Sequence, residues 1–580
     1  MSLPQRASPA GGPAPGNIAS HLPAMARLQP DRPAIVVPDG KGWRSQSFAE
    51  LDEQSDRLAW GLERAGIGRG VRAVLMVKPS LEFFGLMFAL FKAGAVPVLI
   101  DPGIGRRPLL RCLDEVEPEA FVGIPAAHVA RLLFPRPFRK VRALVTVGRR
   151  LGWGGHDLRS LRALGAGAGP YPMAEPAPGD PAAILFTSGS TGIPKGAVYT
   201  HAIFQAQVAS IRALYGIEPG EIDVATFPPF ALFDPALGMT AVIPRMDARR
   251  PASADPAEIA RAIVDHGATN MFASPALLDN LSRHAKSRDQ RFPTLRRILS
   301  AGAPVRPDIL ARMQGVLEGD AQVHTPFGAT ESLPVASIGS REALGLVDRT
   351  AAGHGICVGR PAPEMKVRII RIDDGPIEEW SDDLEVPRGE VGEIAVRGPV
   401  VTPSYFARPE QTRLAKIREG DAIVHRMGDL GFFDDGGLLW MCGRKTHRVE
   451  AAGALLFTEQ VEQIFNRHPA VRRSALVGVP GAAGKARAVL VVEREAGRAD
   501  EGEALRRELL ELAAGAERTK AIEEVLLHPG SFPVDRRHNA KIEREKLARW
   551  AAARLARSEG SRAVPAAGGR KSDTTRSEAG

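Results

Sequence analysis

The stretch Ala183-Ile-Leu-Phe-Thr-Ser-Gly-Ser-Thr-Gly-Ile-Pro-Lys-Gly-Ala197 constrains this chain more than any other. Its first four residues are a short apolar run that reads as a buried strand. They lead into Thr187-Ser-Gly-Ser-Thr-Gly192, four hydroxyls and two glycines in six residues. Such a segment makes a poor core and a good anion cradle. Glycine lets backbone N–H groups come close to phosphate, and Ser and Thr add donors. Pro194 stiffens the exit, and Lys195 brings a mobile positive charge. The generic P-loop, G-x-x-x-x-G-K-[ST], does not fit: Pro194 stands where it needs glycine, and Gly196 where it needs Ser or Thr. Ser-Gly-Ser-Thr-Gly alone also suits a surface turn; the string through Gly196 is far more specific.

A chain of 580 residues can fill several cores. At about 150 residues per domain, length alone suggests about four. With 44% hydrophobic and 25% charged residues it has ordinary globular composition. A net charge of +9 would suit nucleic acid, an anionic membrane or a nucleotide. Arginine is scattered and no long basic block occurs, which argues for general basicity and against a nucleic-acid groove. The three cysteines, Cys112, Cys357 and Cys442, are odd in number and far apart. No disulfide framework or zinc spacing follows, and a reducing cytoplasm is expected. Residues 1–16 are rich in Pro, Gly and Ala without an apolar signal core, so they read as a flexible N-terminus. The most apolar long segment, 81–100, contains Glu82 and Lys92 and is broken by Gly94 and Pro97. It reads as a buried helix and then a strand, not a membrane span.

Further along the chain, helical spacing covers 48–65, strands are expected at 71–77 and 95–100, and a helix at 81–92. That is a β-α-β unit of a parallel sheet. Phe227-Pro-Pro-Phe-Ala-Leu-Phe-Asp-Pro-Ala-Leu-Gly238 suggests either a rigid apolar wall or plain core packing. Ile298-Leu-Ser-Ala-Gly-Ala-Pro304 reads as a strand ending in a small-residue turn, on which a flat ring can lie. His324-Thr-Pro-Phe-Gly-Ala-Thr-Glu331 ends in a hard oxygen donor, and Mg²⁺ needs only one or two protein carboxylates beside phosphates and water. Gly389-Glu-Val-Gly-Glu-Ile-Ala-Val-Arg-Gly398 reads as a turn and strand of scaffold. In Met427-Gly-Asp-Leu-Gly431, Asp429 can accept hydrogen bonds from vicinal hydroxyls; a solvated turn aspartate is the alternative. In Trp440-Met-Cys-Gly-Arg-Lys-Thr-His447, Arg444 offers a fixed fork of donors. An amphipathic helix is expected at 457–465, with Thr458 as its cap before an acidic first turn. The tail from Ser558 reads as disordered.

These strings together resemble the adenylate-forming superfamily of acyl-CoA synthetases, peptide-synthetase adenylation domains and luciferases, with matches from about Asp31 to Leu547. The resemblance implies an α/β fold: a large N-terminal domain, 17–445, of layered parallel sheets with helices, then a small mobile α+β domain, 446–557, and a disordered tail, 558–580. It also implies ATP and Mg²⁺. Thr187, Ser188, Gly189, Ser190, Thr191, Gly192 and Lys195 would hold the β- and γ-phosphates, with Thr191 also catalytic. The turn Gly302-Ala303-Pro304 would hold adenine, and Phe327, where the family's Tyr-Gly-x-Thr-Glu has tyrosine, would stack on it beside Gly328. Thr330 would meet phosphate, Glu331 would bind Mg²⁺, and Asp429 and Arg444 would hold ribose and phosphate. Phe230, Ala231 and Phe233 would line the acyl pocket, Ala231 standing where many relatives have histidine. Thr446 would be the hinge, where Asp or Lys is usual. Lys541, in Phe532-Pro-Val-Asp-Arg-Arg-His-Asn-Ala-Lys-Ile542, matches the catalytic lysine of Pro-Lys-x-x-x-Gly-Lys-Ile. There Ala540 replaces glycine, and Pro533 lies two positions farther from the lysine.

Within that superfamily the chain is similar to the bacterial olefin-pathway β-lactone synthetases, through Asp101-Pro-Gly-Ile-Gly105, Cys442-Gly-Arg-Lys-Thr-His-Arg448 and Val534-Asp-Arg-Arg-His-Asn-Ala-Lys541. That similarity implies a long-chain 2-alkyl-3-hydroxy fatty acid activated as its adenylate. The substrate's own 3-hydroxyl would then displace AMP and close a β-lactone without CoA, with His447 and His538 as candidate bases. The implied partners are a long-chain 3-hydroxy fatty acid and other enzymes of the olefin pathway, a hydrolase-fold condensing enzyme and a reductase, with no nucleic acid. A long-chain fatty acyl-CoA ligase stays open as an alternative. So does a non-catalytic nucleotide or acyl-binding protein on the same fold, against which Lys541 and Glu331 argue.

Overall fold

The expected β-α-β unit is present: strands Arg72–Met76 and Val96–Leu99 run parallel, with Arg72 opposite Val96, and helix Leu81–Lys92 connects them. Ser80 starts the helix by accepting the Phe83 N–H at 3.3 Å, and Gly94, at φ 69°, turns the chain out of it. Every residue of this helix except Glu82 is buried. Its terminal charge, Lys92, survives burial because its ammonium meets the carboxylates of Asp52 and Asp56, each at 2.6 Å. Both acids sit on helix Phe48–Arg64, which opens with a capping box. Ser47 Oγ accepts the Glu50 N–H at 3.2 Å, and Glu50 Oε2 accepts the Ser47 N–H at 2.8 Å.

The computed structural model describes residues 16–562 apart from 178, 188–193, 248–249, 452, 482–485, 496–501 and 535–540. The flexible N-terminus expected at 1–16 therefore lies outside the described residues but for Gly16, as does the tail beyond 562. The chain divides into two units, Met1–Thr446 with Val534–Lys541, and His447–Pro533 with Ile542–Gly580. Among the described residues, Val534 and Lys541 group with the larger unit. Among the described residues no helix is long and apolar enough to cross a membrane.

In the first unit the described strands form two sheets. One carries His156–Asp157, Ala143–Thr146, Ala120–Gly123, Arg72–Met76, Val96–Leu99 and Pro181–Phe186 in parallel, then Gly196–Thr200 antiparallel at its edge. The other has a parallel core of Thr240–Val242, Ile222–Ala225, Asn270–Ala273, Arg297–Ser300 and Gln322–Ala329. It continues antiparallel through Ser332–Gly339, Ile356–Pro361, Leu439–Arg444, Ala422–Phe433 and Gly392–Arg397. The layered parallel sheets expected from sequence are thus joined by a long antiparallel extension. The carboxyl ends of the parallel strands are where open α/β sheets place ligands. Here Phe186, Thr226, Ser274 and Ala301, at or just past four of those ends, line one cavity.

The second unit is α+β. Val449–Ala451, Ala454–Leu456, Val471–Pro480, Ala486–Arg494 and Ile522–Leu527 form its sheet, with helices Thr458–Asn466, Gly502–Ala514 and Arg544–Arg562. The cap expected at Thr458 is not one. Phe457 has the extended backbone that an N-cap needs, φ −109° and ψ 129°, so Thr458 begins the helix and no side chain caps it. Glu462 of that helix accepts the Leu476 N–H at 2.8 Å and pairs with Arg544 at 2.9 Å. Burial still pushes its carboxyl up to about 7. The last helix runs to Arg562, so Ser558, where the disordered tail was expected to begin, lies inside it.

Candidate active site

The glycine- and hydroxyl-rich loop grows from a β-hairpin. Strands Pro181–Phe186 and Gly196–Thr200 pair antiparallel. The loop's neck is closed twice: the Thr187 N–H donates to the Lys195 carbonyl at 3.0 Å, and the Lys195 N–H to Thr187 Oγ1 at 3.3 Å. Gly196 must be small, since a Cβ there would stand 2.8 Å from Ile184 Cγ2. Ser188, Gly189, Ser190, Thr191 and Gly192 lie outside the described residues. Lys195 does not stretch into solvent. Its Nζ sits 4.3 Å from the centroid of the Tyr405 ring, a cation–π contact, and burial lowers its pKa.

Thr330 and Glu331 form the turn between strands Gln322–Ala329 and Ser332–Gly339. Gly328 is obligatory just before it, because a Cβ would meet the Ser332 carbonyl at 2.7 Å. Two tyrosine hydroxyls converge on this turn. Tyr199 donates to the Thr330 carbonyl, and Tyr405 to Glu331 Oε1, each at 2.5 Å. From behind, the Thr402 N–H and Oγ1–H donate to the Glu331 carbonyl at 2.9 and 3.1 Å. Thr402 is itself held by Lys416, whose Nζ donates to its carbonyl at 2.5 Å. Burial pushes the Lys416 ammonium down to about 7, against the opposing pull of Glu331. Tyr405, Thr402 and Lys416 escaped the reading of the sequence because none lies in the strings singled out there. The one available signal was scarcity: the chain has four tyrosines, and two of them meet here.

Asp429 and Arg444 lie directly opposite each other on paired strands, and Arg444 Nε reaches Asp429 Oδ1 at 3.2 Å. Burial raises the Asp429 pKa, and the charges of Arg444 and Lys541 counter it. Arg444 Nη1 also donates to the Met427 carbonyl at 3.2 Å, so its fork is aimed along the strand ends. Thr446 occupies the short 3₁₀ turn Lys445–His447 that follows. His447 lies 4.0 Å from Glu545 within the second unit, and His538 and Ala540 fall outside the described residues.

The first unit encloses a cavity of about 1260 Å³. Phe230, Phe233, Gly302, Gly328, Thr330 and Lys541 all line it. Its far walls are aromatic and aliphatic, from Phe83, Met87, Phe88, Phe91 and Phe204. Phe230 lies flat on Phe272, centroids 4.3 Å apart. Ala231 does not belong to this lining: it is fully buried in the core. Gly302, at φ 97°, opens the turn that continues through Ala303 and Pro304; these two and Phe327 lie next to lining residues in the chain and are not in the lining themselves. Among the described residues no group of three His, Cys, Asp or Glu is placed to hold a metal. The lone Glu331 carboxylate, with one oxygen held by Tyr405, therefore fits Mg²⁺ as an ion carried in on nucleotide phosphates and water.

Comparison with known proteins agrees with this geometry. The AMP-binding enzyme family matches residues 22–406. An olefin beta-lactone synthetase of Stenotrophomonas maltophilia is 53% identical over 554 residues, covering 93% of this chain and 99% of the relative. Another, of Xanthomonas campestris pv. campestris, is 53% identical over 549 residues, covering 92% and 97%. The solved structure of the amide bond synthetase McbA from Marinactinospora thermotolerans superposes with a TM-score of 0.74 at 24% identity, over 92% of this chain and 99% of that one, and shows the shared fold. With the cavity, the hairpin loop and the Asp429–Arg444 pair, these findings mean that the chain belongs to the AMP-binding enzyme family and is an ATP-dependent, AMP-forming ligase.

Proposed function

We propose that the enzyme activates a long-chain 2-alkyl-3-hydroxy fatty acid as its acyl-adenylate and then lets the substrate's 3-hydroxyl close a β-lactone. The observation that carries this reading is the cavity, which joins a long aromatic and aliphatic wall to Gly302, Thr330 and Lys541 in one space. Its volume of about 1260 Å³ exceeds the usual ligand pocket of roughly 300–1000 Å³, as an acid with two alkyl arms beside a nucleotide requires. The names of the 53% identical relatives support the lactone product.

A free carboxylate acylates poorly because its leaving group is poor. In the first step its oxygen bonds to the α-phosphorus of ATP, and the bond to pyrophosphate breaks. Lys541 stabilises charge on the α-phosphate, Asp429 accepts from the ribose hydroxyls, and Arg444 donates to ribose and phosphate. The loop from Thr187 to Lys195 holds the outer phosphates, with Thr191 among its donors. Glu331 would hold Mg²⁺ together with the phosphates, and the ion would offset their charge. All of this is positioning and electrostatics; no protein nucleophile is needed. In the second step the 3-hydroxyl oxygen bonds to the acyl carbon, the bond from that carbon to the phosphate oxygen of AMP breaks, and the hydroxyl proton is released to solvent. Tethering nucleophile to electrophile supplies an effective concentration that offsets ring strain. Thr446 is the hinge about which the smaller domain turns between steps. The partners are other enzymes of olefin formation, and the compartment is the cytoplasm. Mass spectrometry of a reaction of enzyme, ATP, Mg²⁺ and a long-chain 2-alkyl-3-hydroxy acid without CoA should show AMP, pyrophosphate and the β-lactone. Absence of the lactone, with a thioester appearing once CoA is added, would replace this reading with an acyl-CoA ligase.

A further inference from the structure

We propose that Tyr405 is a positioning residue that holds the Glu331 carboxylate in place for the metal-bearing nucleotide and ties it mechanically to the phosphate loop. The inference rests on the assignment of Glu331 above, and not on the lactone product.

Three observations carry it. The first is the bond from Tyr405 Oη–H to Glu331 Oε1, 2.5 Å long, between two buried side chains. A hydrogen bond to a charged acceptor away from water is among the stronger neutral-donor bonds a protein makes. The second is where the tyrosine's backbone sits. The Val198 N–H donates to the Ser404 carbonyl at 3.1 Å, and the Phe406 N–H to the Gly196 carbonyl at 2.8 Å. Residues 404–406 are thus stitched to the strand Gly196–Thr200, which the phosphate loop enters on leaving Lys195. The third is the ring. Lys195 Nζ lies 4.3 Å and Lys416 Nζ 6.0 Å from its centroid. One side chain therefore touches the loop lysine with its face and the metal-side carboxylate with its hydroxyl. Thr402, three residues earlier, fixes the Glu331 backbone, so the carboxylate is restrained at both ends. Unrestrained, a glutamate would have to be ordered at each nucleotide binding event, at the cost of its rotamer freedom.

The test is a calorimetric titration of the full chain with ATP, once in Mg²⁺ and once in EDTA, for wild type, Y405F, E331Q and the double variant. No acyl substrate is present, so its outcome is independent of the lactone assay. Tyr405→Phe keeps the ring under Lys195 and removes only the hydroxyl. It should lose about tenfold of the affinity that Mg²⁺ adds, the scale of one hydrogen bond to a charged group, and leave binding in EDTA within about twofold. In the E331Q background the same change should add less than about twofold, because residues that act through one another are not additive. Tyr405→Leu, which also removes the ring, should weaken binding in EDTA as well. Equal weakening of Y405F with and without Mg²⁺, or the same loss in the E331Q background, overturns the proposal. So does a Y405F chain that melts early but keeps its full Mg²⁺-dependent gain, since that is a structural role alone.

Discussion

At the scale of single residues, Lys541 lines the cavity, and its charge reaches the buried Asp429. Lys541→Ala should lower acid-dependent ATP–pyrophosphate exchange by about 10²–10³-fold, the usual effect of losing one electrostatic donor to a transition state. ATP affinity should survive, because Asp429, Arg444 and the loop remain. Unchanged exchange in this variant would show that the lysine has another role. Asp429→Ala should act differently. The proposed ribose contacts are the same in ground and transition states, so the loss should raise KM for ATP and leave kcat nearly constant. Glu331→Gln should lower kcat as well as the Mg²⁺-dependent part of ATP affinity. Steady-state kinetics of both variants separates the two, and a KM-only defect in each would remove the transition-state role of the metal from Glu331. These residues could be named as candidates from sequence because each stands in a short string whose neighbours restrict it. Tyr405 and Lys416 could not be. Their meaning exists only once residues 404–406 lie against Gly196–Thr200, with strand Lys416–Glu419 placing its ammonium on Thr402.

At the scale of elements, the helix Leu81–Lys92 was readable because the apolar run from Phe83 to Phe91, bounded by Ser80 and Gly94, is longer than an ordinary buried strand. The segment after Ile222–Ala225 was not. The string Phe230-Ala-Leu-Phe233 names the right aromatics, but successive helical side chains point about 100° apart. In the turn Pro228–Ala231 that rotation sends Phe230 to the cavity and Ala231 to the core. The next helix, Phe233–Leu237, brings Asp234 against Asp223 of the strand, both buried. Burial raises both carboxyls, and the charge of Asp223 raises Asp234 further, so the native pair retains a proton that an unfolded chain gives up near pH 4. A raised native pKa means stability that is full below the unfolded value and is lost as pH climbs through the native one. Against the rising stability that buried histidines such as His201 and His425 contribute, the pair therefore adds a negative slope of melting temperature with pH from about 5 toward 8. Asp234→Asn, which donates to Asp223 without a shared proton, should flatten that slope. Thermal melts of both chains across this range check it; parallel slopes would mean that the pair holds no proton.

At the scale of the whole chain, the division after Thr446 and the AMP-binding match over 22–406 are compatible with the proposed catalyst of two half-reactions. The departures from the motifs of thioester-forming relatives bear on the proposed second half: threonine at the proposed hinge, alanine for the pocket histidine, and the altered segment before Lys541. Ala231 is now seen to be a core residue, so its departure reshapes the packing behind Phe230 and not a polar contact in the cavity. None of these changes touches the residues assigned to ATP. An acid that has the alkyl arms but lacks the 3-hydroxyl should therefore still be adenylated. It should release pyrophosphate in a burst of about one equivalent per enzyme and then stop, because the attacking group is gone and the mixed anhydride stays bound. Adding CoA should not restart it. The matching 3-hydroxy acid should turn over continuously under the same conditions. Quenched-flow measurement of pyrophosphate, with mass spectrometry of the bound acyl-adenylate, reads both arms. Continuous turnover of the deoxy acid on adding CoA would show that an external thiol, and not the substrate's own hydroxyl, is the second nucleophile.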